Sequence, residues 1–229
     1  GNLSQVYCQR AQRKGTVGME RIICLAAGYL FGLLQTGYIY GRLNKIDIRN
    51  YGSGNSGTTN ALRVLGKKAG AVVFFGDFLK AFIPCILVRI LFRDRPEIAC
   101  LLVLYTGLGV ILGHNYPFYL NFKGGKGIAA TAGLIVALDL RLMVVTLLAF
   151  VLIVAVTRFV SLGSLVVATI FLVWMIVMGS NGSFSVQAGY LPEFYIVAAV
   201  ISAQAFWRHR ANIVRLVHGN ENKISFGKK

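Results

Sequence analysis

The sequence predicts an all-α integral membrane protein of about seven transmembrane helices, one of them short, with glycine-rich loops gathered on one face. Three observations predict it. Hydrophobic residues make up 56% of the 229 and mean hydropathy is +0.65, above the ~45–50% apolar content of a soluble domain. The apolar residues fall in seven runs. The charged residues, 24 Lys and Arg against 8 Asp and Glu, cluster between those runs, where membrane orientation and anionic ligands call for bases; phosphate, not nucleic acid, is the natural partner.

Residues 1–18 are polar and precede Met19-Glu20. They read as vector-derived residue or a disordered tail, with 19–229 as a single polytopic domain and no cleavable signal peptide. The apolar runs are Ile22–Tyr40, Gly70–Phe92, Ile98–Gly113, Ile128–Leu138, Leu142–Val156, Leu162–Gly179 and Phe194–Phe206. A spanning helix needs ~20 residues, so Ile128–Leu138 is expected to enter from one side only, packed against protein. Gly28 and Gly32, Gly37 and Gly41, and Gly109 and Gly113 fall four apart, the spacing that lets helices approach closely in lipid. Cys8, Cys24, Cys85 and Cys100 show neither metal-ligand spacing nor a disulfide framework.

Alternate loops set the orientation. Arg42, Lys45, Arg49, Arg63, Lys67 and Lys68, then Lys123 and Lys126, then Arg158, then a tail with Arg208, Arg210, Arg215, Lys223, Lys228 and Lys229 all fall on one side, which the positive-inside rule makes cytoplasmic. The other side has no Lys or Arg in Asn181–Glu193, yet it carries Arg93, Arg95 and Arg141. The consistent majority decides.

Two of the basic loops carry chemistry. Tyr51-Gly-Ser-Gly-Asn-Ser-Gly-Thr-Thr-Asn-Ala-Leu-Arg63 alternates glycines with short polar side chains and leads into a short helix ending near Gly66. Glycines permit close backbone approach, Thr58, Thr59 and Asn60 can cap the helix, and its free N–H groups attract anions. Ser53, Gly54, Asn55, Gly57, Thr58 and Asn60 are thus candidate phosphate contacts, with Arg63 beyond them. Gly-Lys-Ser/Thr is missing, so this is not a nucleotide P-loop. Gly113-His-Asn-Tyr-Pro-Phe-Tyr-Leu-Asn-Phe-Lys-Gly-Gly-Lys-Gly127 follows the same logic: Lys123, Gly124, Gly125, Lys126 and Gly127 form a second cradle. His114 reads as a hydrogen-bonded residue at its edge, and Pro117 as a helix breaker. Two basic glycine loops on one face suit two phosphates.

Three further groups are candidates. Asp77 and Lys80, three apart in an apolar run, form an intramembrane pair, structural or functional. Ser161 and Ser164 follow Arg158, each able to donate to a phosphate or cap a helix. His209 and Asn212 share a helix face with Arg215 a turn beyond, and a histidine beside cations can orient or deprotonate a hydroxyl. His218 and Glu221 have no discriminating context. The chain lacks a His-x-x-x-x-Asp signature, since Tyr119 stands five after His114, and it lacks a Gly-x-Ser-x-Gly elbow and a metal-ligand cluster. Covalent and metal catalysis are disfavoured.

In Gly52–Arg63, Gly113-His-Asn-Tyr-Pro, Phe122-Lys-Gly-Gly-Lys-Gly127, Arg158-Phe-Val-Ser161, His209-Arg-Ala-Asn-Ile213 and Glu221-Asn-Lys223, the chain resembles the bacterial acyl-phosphate:glycerol-3-phosphate acyltransferases, the PlsY family. The likeness covers Met19 to Phe226. It implies a seven-helix enzyme of the bacterial cytoplasmic membrane, its active site facing the cytoplasm, that moves a fatty acyl group from acyl phosphate to the sn-1 hydroxyl of glycerol 3-phosphate, giving lysophosphatidic acid and inorganic phosphate. It implies no metal and no carrier-protein or CoA donor; no other cofactor, no obligate protein partner and no nucleic acid is expected. It also implies phosphate contacts from Ser53, Arg63, Lys67, Lys126 and Ser164, with His209 and Asn212 completing the pocket. The third motif reads Ser161-Leu-Gly-Ser164, which leaves the choice of serine open, and the Asn181–Glu193 loop is long for the family. The competing class is a transporter or flippase for a phosphorylated anion, which basic glycine loops and a broken helix also suit.

Overall fold

The computed structural model describes residues 18–224. The tail expected before residue 18, Cys8, Lys228 and Lys229 lie outside the described residues. Gly18 is already helical, so that expectation does not extend to it. The described residues form α1 (18–32), α2 (Thr36–Leu43), α3 (Thr58–Leu65), α4 (Lys67–Leu91), α5 (Pro96–Asn115), α6 (Ile128–Leu138), α7 (Leu140–Thr157), α8 (Val160–Ser180), α9 (Leu191–Arg208) and α10 (Arg210–Val217). Six helical segments are long and apolar enough to cross a membrane, and α6 is the shorter apolar helix.

α5 is the central element, with 72% of its apolar window buried, and it packs against α4, α6 and α9. Its crossing with α1 depends on the glycines. A Cβ on Gly28 or Gly32 would strike the backbone carbonyls of Thr106 or Val110, and one on Gly109 or Gly113 those of Leu25 or Tyr29, so two of the three spaced pairs face each other in one close contact. The third pair serves a loop instead, with Gly37 against the Ser56 carbonyl.

Two expectations about elements need correction. The first span is broken: residues 33–35 leave the helix, and the amide of buried Gln35 donates from Nε2 to the carbonyls of Gly32, Gly113 and His114 at 3.1–3.2 Å. The break therefore belongs to a polar junction with the end of α5. Secondly, no side chain caps α3. Its N-cap is Gly57, Thr58 Oγ1 is buried without a partner, and Asn60 braces the loop, accepting from Ser53 N at 2.8 Å and donating to the carbonyls of Ile48 and Tyr51.

The short helix is as expected. α6 has 11 residues, about 16 Å at 1.5 Å per residue, or half the ~30 Å hydrocarbon thickness. Asp139 ends it in an extended conformation and caps α7 by accepting from Arg141 N at 2.8 Å. Arg89 Nη1 donates to the freed carbonyls of Ala137 and Leu138. One residue thus turns the chain round, and the opposite end of α6, at Gly127, stops roughly half-way through the bundle.

The connections after α2, α5, α7 and α9 converge on one end. At the other end the bases meet acids: Arg95 with Glu20, Arg21 with Glu193, Arg93 with Asp94 and Arg141 with Asp139. The arginines that oppose the orientation argument are neutralised in this way. Phe184, buried and 5.5 Å from the Phe194 ring, pins the 181–190 connection.

Candidate functional site

A cavity of about 500 Å³ opens where α3, the 121–127 hairpin, the α7–α8 turn and α10 meet, within the usual ~300–1,000 Å³ for a small-molecule site. Its first wall is the start of α3. Ser53, Asn55, Gly57, Thr58, Thr59, Asn60 and Arg63 line it. Because α3 is uncapped, its first N–H groups are free for a ligand, and they carry the positive end of the helix dipole. Arg63 stands at the exposed rim and gives one bond to the protein, Nη2 to the Asn222 carbonyl at 3.4 Å. Most of its five donors remain for an anion.

Lys126 and Gly127 form the second wall. Gly127 has φ +82°, a conformation that glycine supplies without strain and that turns the hairpin into α6. Lys126 Nζ donates to Asn212 Oδ1 at 2.5 Å, Asn212 Nδ2 donates to Glu221 Oε1 at 2.8 Å, and Arg215 Nε donates to Glu221 Oε2 at 2.9 Å. Asn212 thus stands between the ammonium and the one carboxylate of this wall. Burial lowers the Lys126 pKa to about 8, with Glu221 opposing and Arg215, Arg208 and Arg63 adding to the fall. One ammonium donor is spent on Asn212, which leaves two.

His209 separates α9 from α10 and lines the cavity with Asn212. Its Nδ1 is 2.7 Å from the Ala205 carbonyl, so Nδ1 carries the proton and Nε2 is an acceptor. Burial, then Lys126, push its pKa down to about 4. The ring is neutral at physiological pH. Ser161 and Ser164 line the third wall. Ser164 Oγ is occupied, donating to the Val160 carbonyl at 2.8 Å, whereas Ser161 Oγ is buried without a protein partner.

Below these groups the lining turns apolar: Phe74 of α4, Ile128 and Ala129 of α6, and Phe150, Val151, Val154 and Ala155 of α7. Because α6 reaches only half-way, α4 and α7 flank an uncovered cleft above its end. Val151 is 54% and Phe74 37% exposed, so this cleft continues onto the bundle surface that meets lipid.

Most of the residues expected from the sequence are brought together. Gly54, Lys67, Lys123, Gly124 and Gly125 do not line the cavity; Lys67 begins α4 at the exposed surface and Lys123 is exposed in the hairpin. Gly124 and Gly125 support it instead, their carbonyls accepting from Arg208 at 2.8 and 2.9 Å. The lining also includes Glu221 and Asn222, to which sequence reasoning gave no role, and Arg215 and Asp77, which it named without placing them in the phosphate site. Gly219, with φ +70°, folds 220–224 back over the site, where Arg158 and Ile224 exchange bonds at 2.9 and 3.1 Å. Among the described residues no group of three or more His, Cys, Asp or Glu could hold a metal ion.

Known proteins resemble this chain in sequence and fold. The sequence model of the glycerol-3-phosphate acyltransferase family matches residues 22–219. The glycerol-3-phosphate acyltransferase of Clostridioides difficile (strain 630) is 40% identical over 205 residues, 89% of this chain and 95% of that protein. That of Aquifex aeolicus (strain VF5) is 38% identical over 206 residues, 90% and 100% of the two chains. The crystal structure of PlsY (YgiH), an integral membrane glycerol 3-phosphate acyltransferase, in its glycerol 3-phosphate form superposes with a TM-score of 0.77 at 36% identity, covering 90% of this chain and 96% of that one. Its lysophosphatidic acid form gives 0.73 at 35% identity, covering 90% and 95%.

Proposed function

The chain belongs to the glycerol-3-phosphate acyltransferase family, and on that premise we propose that it takes its acyl group from an acyl phosphate and transfers it to the sn-1 hydroxyl of glycerol 3-phosphate. It is an integral membrane enzyme that acylates glycerol 3-phosphate. The observation that carries the choice of donor is the form of the cavity: one compact cationic end, with the α3 N-terminus, Arg63 and Lys126, joined to one apolar cleft between α4 and α7. An acyl phosphate has a small anionic head and a single aliphatic tail. A thioester of a nucleotide or a carrier protein asks for a larger polar cleft or a docking surface. Residues 19–229 act as one polytopic domain in the bacterial cytoplasmic membrane with the site facing the cytoplasm, the side on which most of the Lys and Arg lie.

The reaction follows from the residues present. The α3 N–H groups, Arg63, Lys126 and Ser161 hold the two phosphates, and binding two anions in one cationic site brings hydroxyl and carbonyl together. The hydroxyl oxygen bonds to the acyl carbon, the bond from that carbon to the bridging phosphate oxygen breaks, and its electron pair leaves with phosphate. His209 Nε2 accepts a hydrogen bond from the hydroxyl and orients it. It is a poor terminal base, however. Burial and Lys126 hold its pKa down to about 4, below the ~6 of a phosphate monoester's second ionisation, which favours phosphate as the proton's destination. The proton therefore ends on phosphate, and no nucleophilic side chain or metal is required.

The test is stoichiometric. Purified protein given palmitoyl phosphate should release inorganic phosphate only when glycerol 3-phosphate is present, one per lysophosphatidic acid formed. Phosphate released without acceptor, or anion movement across liposomes without acylation, would overturn the reading.

A further inference from the structure

Beneath the site lies a charged group that the reaction above does not use. Lys80 of α4 is 4% exposed and Asp77 2%, inside a membrane-spanning helix, where a charge persists only if its partners compensate for lost water. An ammonium has three donors, and here each has an acceptor: Asp77 Oδ1 at 2.8 Å, the Leu34 carbonyl at 2.7 Å and His114 Nδ1 at 2.8 Å. The Leu34 carbonyl is available because helix 1 breaks at 33–35. His114 carries the tie onward. Its carbonyl accepts from Gly125 N at 3.1 Å, and its ring lies so close to Gly125 that a Cβ there would overlap Nε2. Gly125 adjoins Lys126. The path from Lys80 to the anion-binding ammonium therefore runs through one ring and one residue of backbone, while Arg208 holds the other side of the hairpin at Gly124 and Gly125.

We propose that Lys80, with Asp77 as its counter-ion, is a positioning residue for the phosphate site: it fixes the plane and tautomer of His114, and the His114 ring sets where Gly125 and Lys126 stand. The inference rests on Lys126 as a phosphate ligand. A lysine that merely glued helices together would need neither His114 nor the carbonyl at the helix break.

Asp77 itself lines the cavity, so Lys80 is tested in a background where residue 77 is already neutral. KM and kcat for both substrates are measured for D77N, D77N/K80M and K126A. Adding K80M to D77N should raise, by ten-fold or more, the KM of whichever substrate K126A weakens, with kcat changed by less than three-fold; partial misfolding lowers the active fraction and leaves KM alone. A KM within two-fold of D77N, while K126A is impaired, overturns the role of Lys80 and leaves Lys126 in place. An unimpaired K126A removes the reading on which both stand. The wild-type protein offers a measurement independent of any variant's folding. Nitrogen-15 spectra of histidine-labelled enzyme should show His114 with Nδ1 bare and the proton on Nε2, and a proton on Nδ1 overturns the proposal.

Discussion

Lys126 is the residue whose surroundings say most about the reaction. Asn212 accepts from it and in turn donates to Glu221, so the carboxylate steadies the ammonium without bonding to it, and two donors stay available for substrate. Losing such a partner from a site that binds charge costs about 2–5 kcal/mol, roughly 30- to 5,000-fold in kcat/KM. Lys126→Ala should fall in that range. The pH dependence has a definite sign. A lysine pKa lowered to about 8 means that the cation is lost as pH rises through 8, about two units before an ordinary lysine. Since kcat/KM reports groups of the free enzyme, it should decline above pH 8 in the wild type and stay level to about pH 10 in Lys126→Arg. The same decline in both would assign it elsewhere. His209, already neutral, should add no inflection near 6.5. The sequence made Lys126, Arg63, His209 and Asn212 legible because each adjoins a glycine loop or shares a helical face. Glu221 was hidden: it follows Gly219, where the chain turns back and periodicity ends. The choice between Ser161 and Ser164 was equally hidden, because it depends on which hydroxyl bonds back to its own helix.

The elements were legible where hydrophobic runs were long. Six of the seven expected runs are each one continuous helix, and even the 11-residue α6 was readable from its length. The break at 33–35 was not, since Leu33 and Leu34 are as apolar as their neighbours and the break is held by tertiary contacts, Gln35 reaching the end of α5 and Lys80 of α4 reaching the Leu34 carbonyl. Loop location follows from element count: the connections carrying Asn55 and Gly125 and the segment after α9 share one end of the bundle, and the connection carrying Gly182 lies at the other. We expect the former to face the cytoplasm. A cysteine at Asn55 in a cysteine-free background should resist an impermeant thiol reagent in intact cells, while one at Gly182 reacts. The opposite labelling pattern would invert the orientation.

At the scale of the molecule, the short helix and the glycine hairpin solve one problem together. A water-soluble acceptor and a lipid-borne donor have to meet, and stopping α6 half-way lets the polar end of the cavity descend between helices until it joins a cleft open to lipid. That geometry is why the donor is argued to be an acyl phosphate, small enough for its head to lie between Arg63 and Lys126 while its tail remains among α4 and α7. The most direct measurement supplies the purified enzyme with glycerol 3-phosphate and, separately, palmitoyl phosphate, palmitoyl-CoA or palmitoyl carrier protein, and follows lysophosphatidic acid. The account predicts product from palmitoyl phosphate and at most trace amounts from either thioester. Comparable rates from a thioester would contradict it, even with glycerol 3-phosphate still acylated.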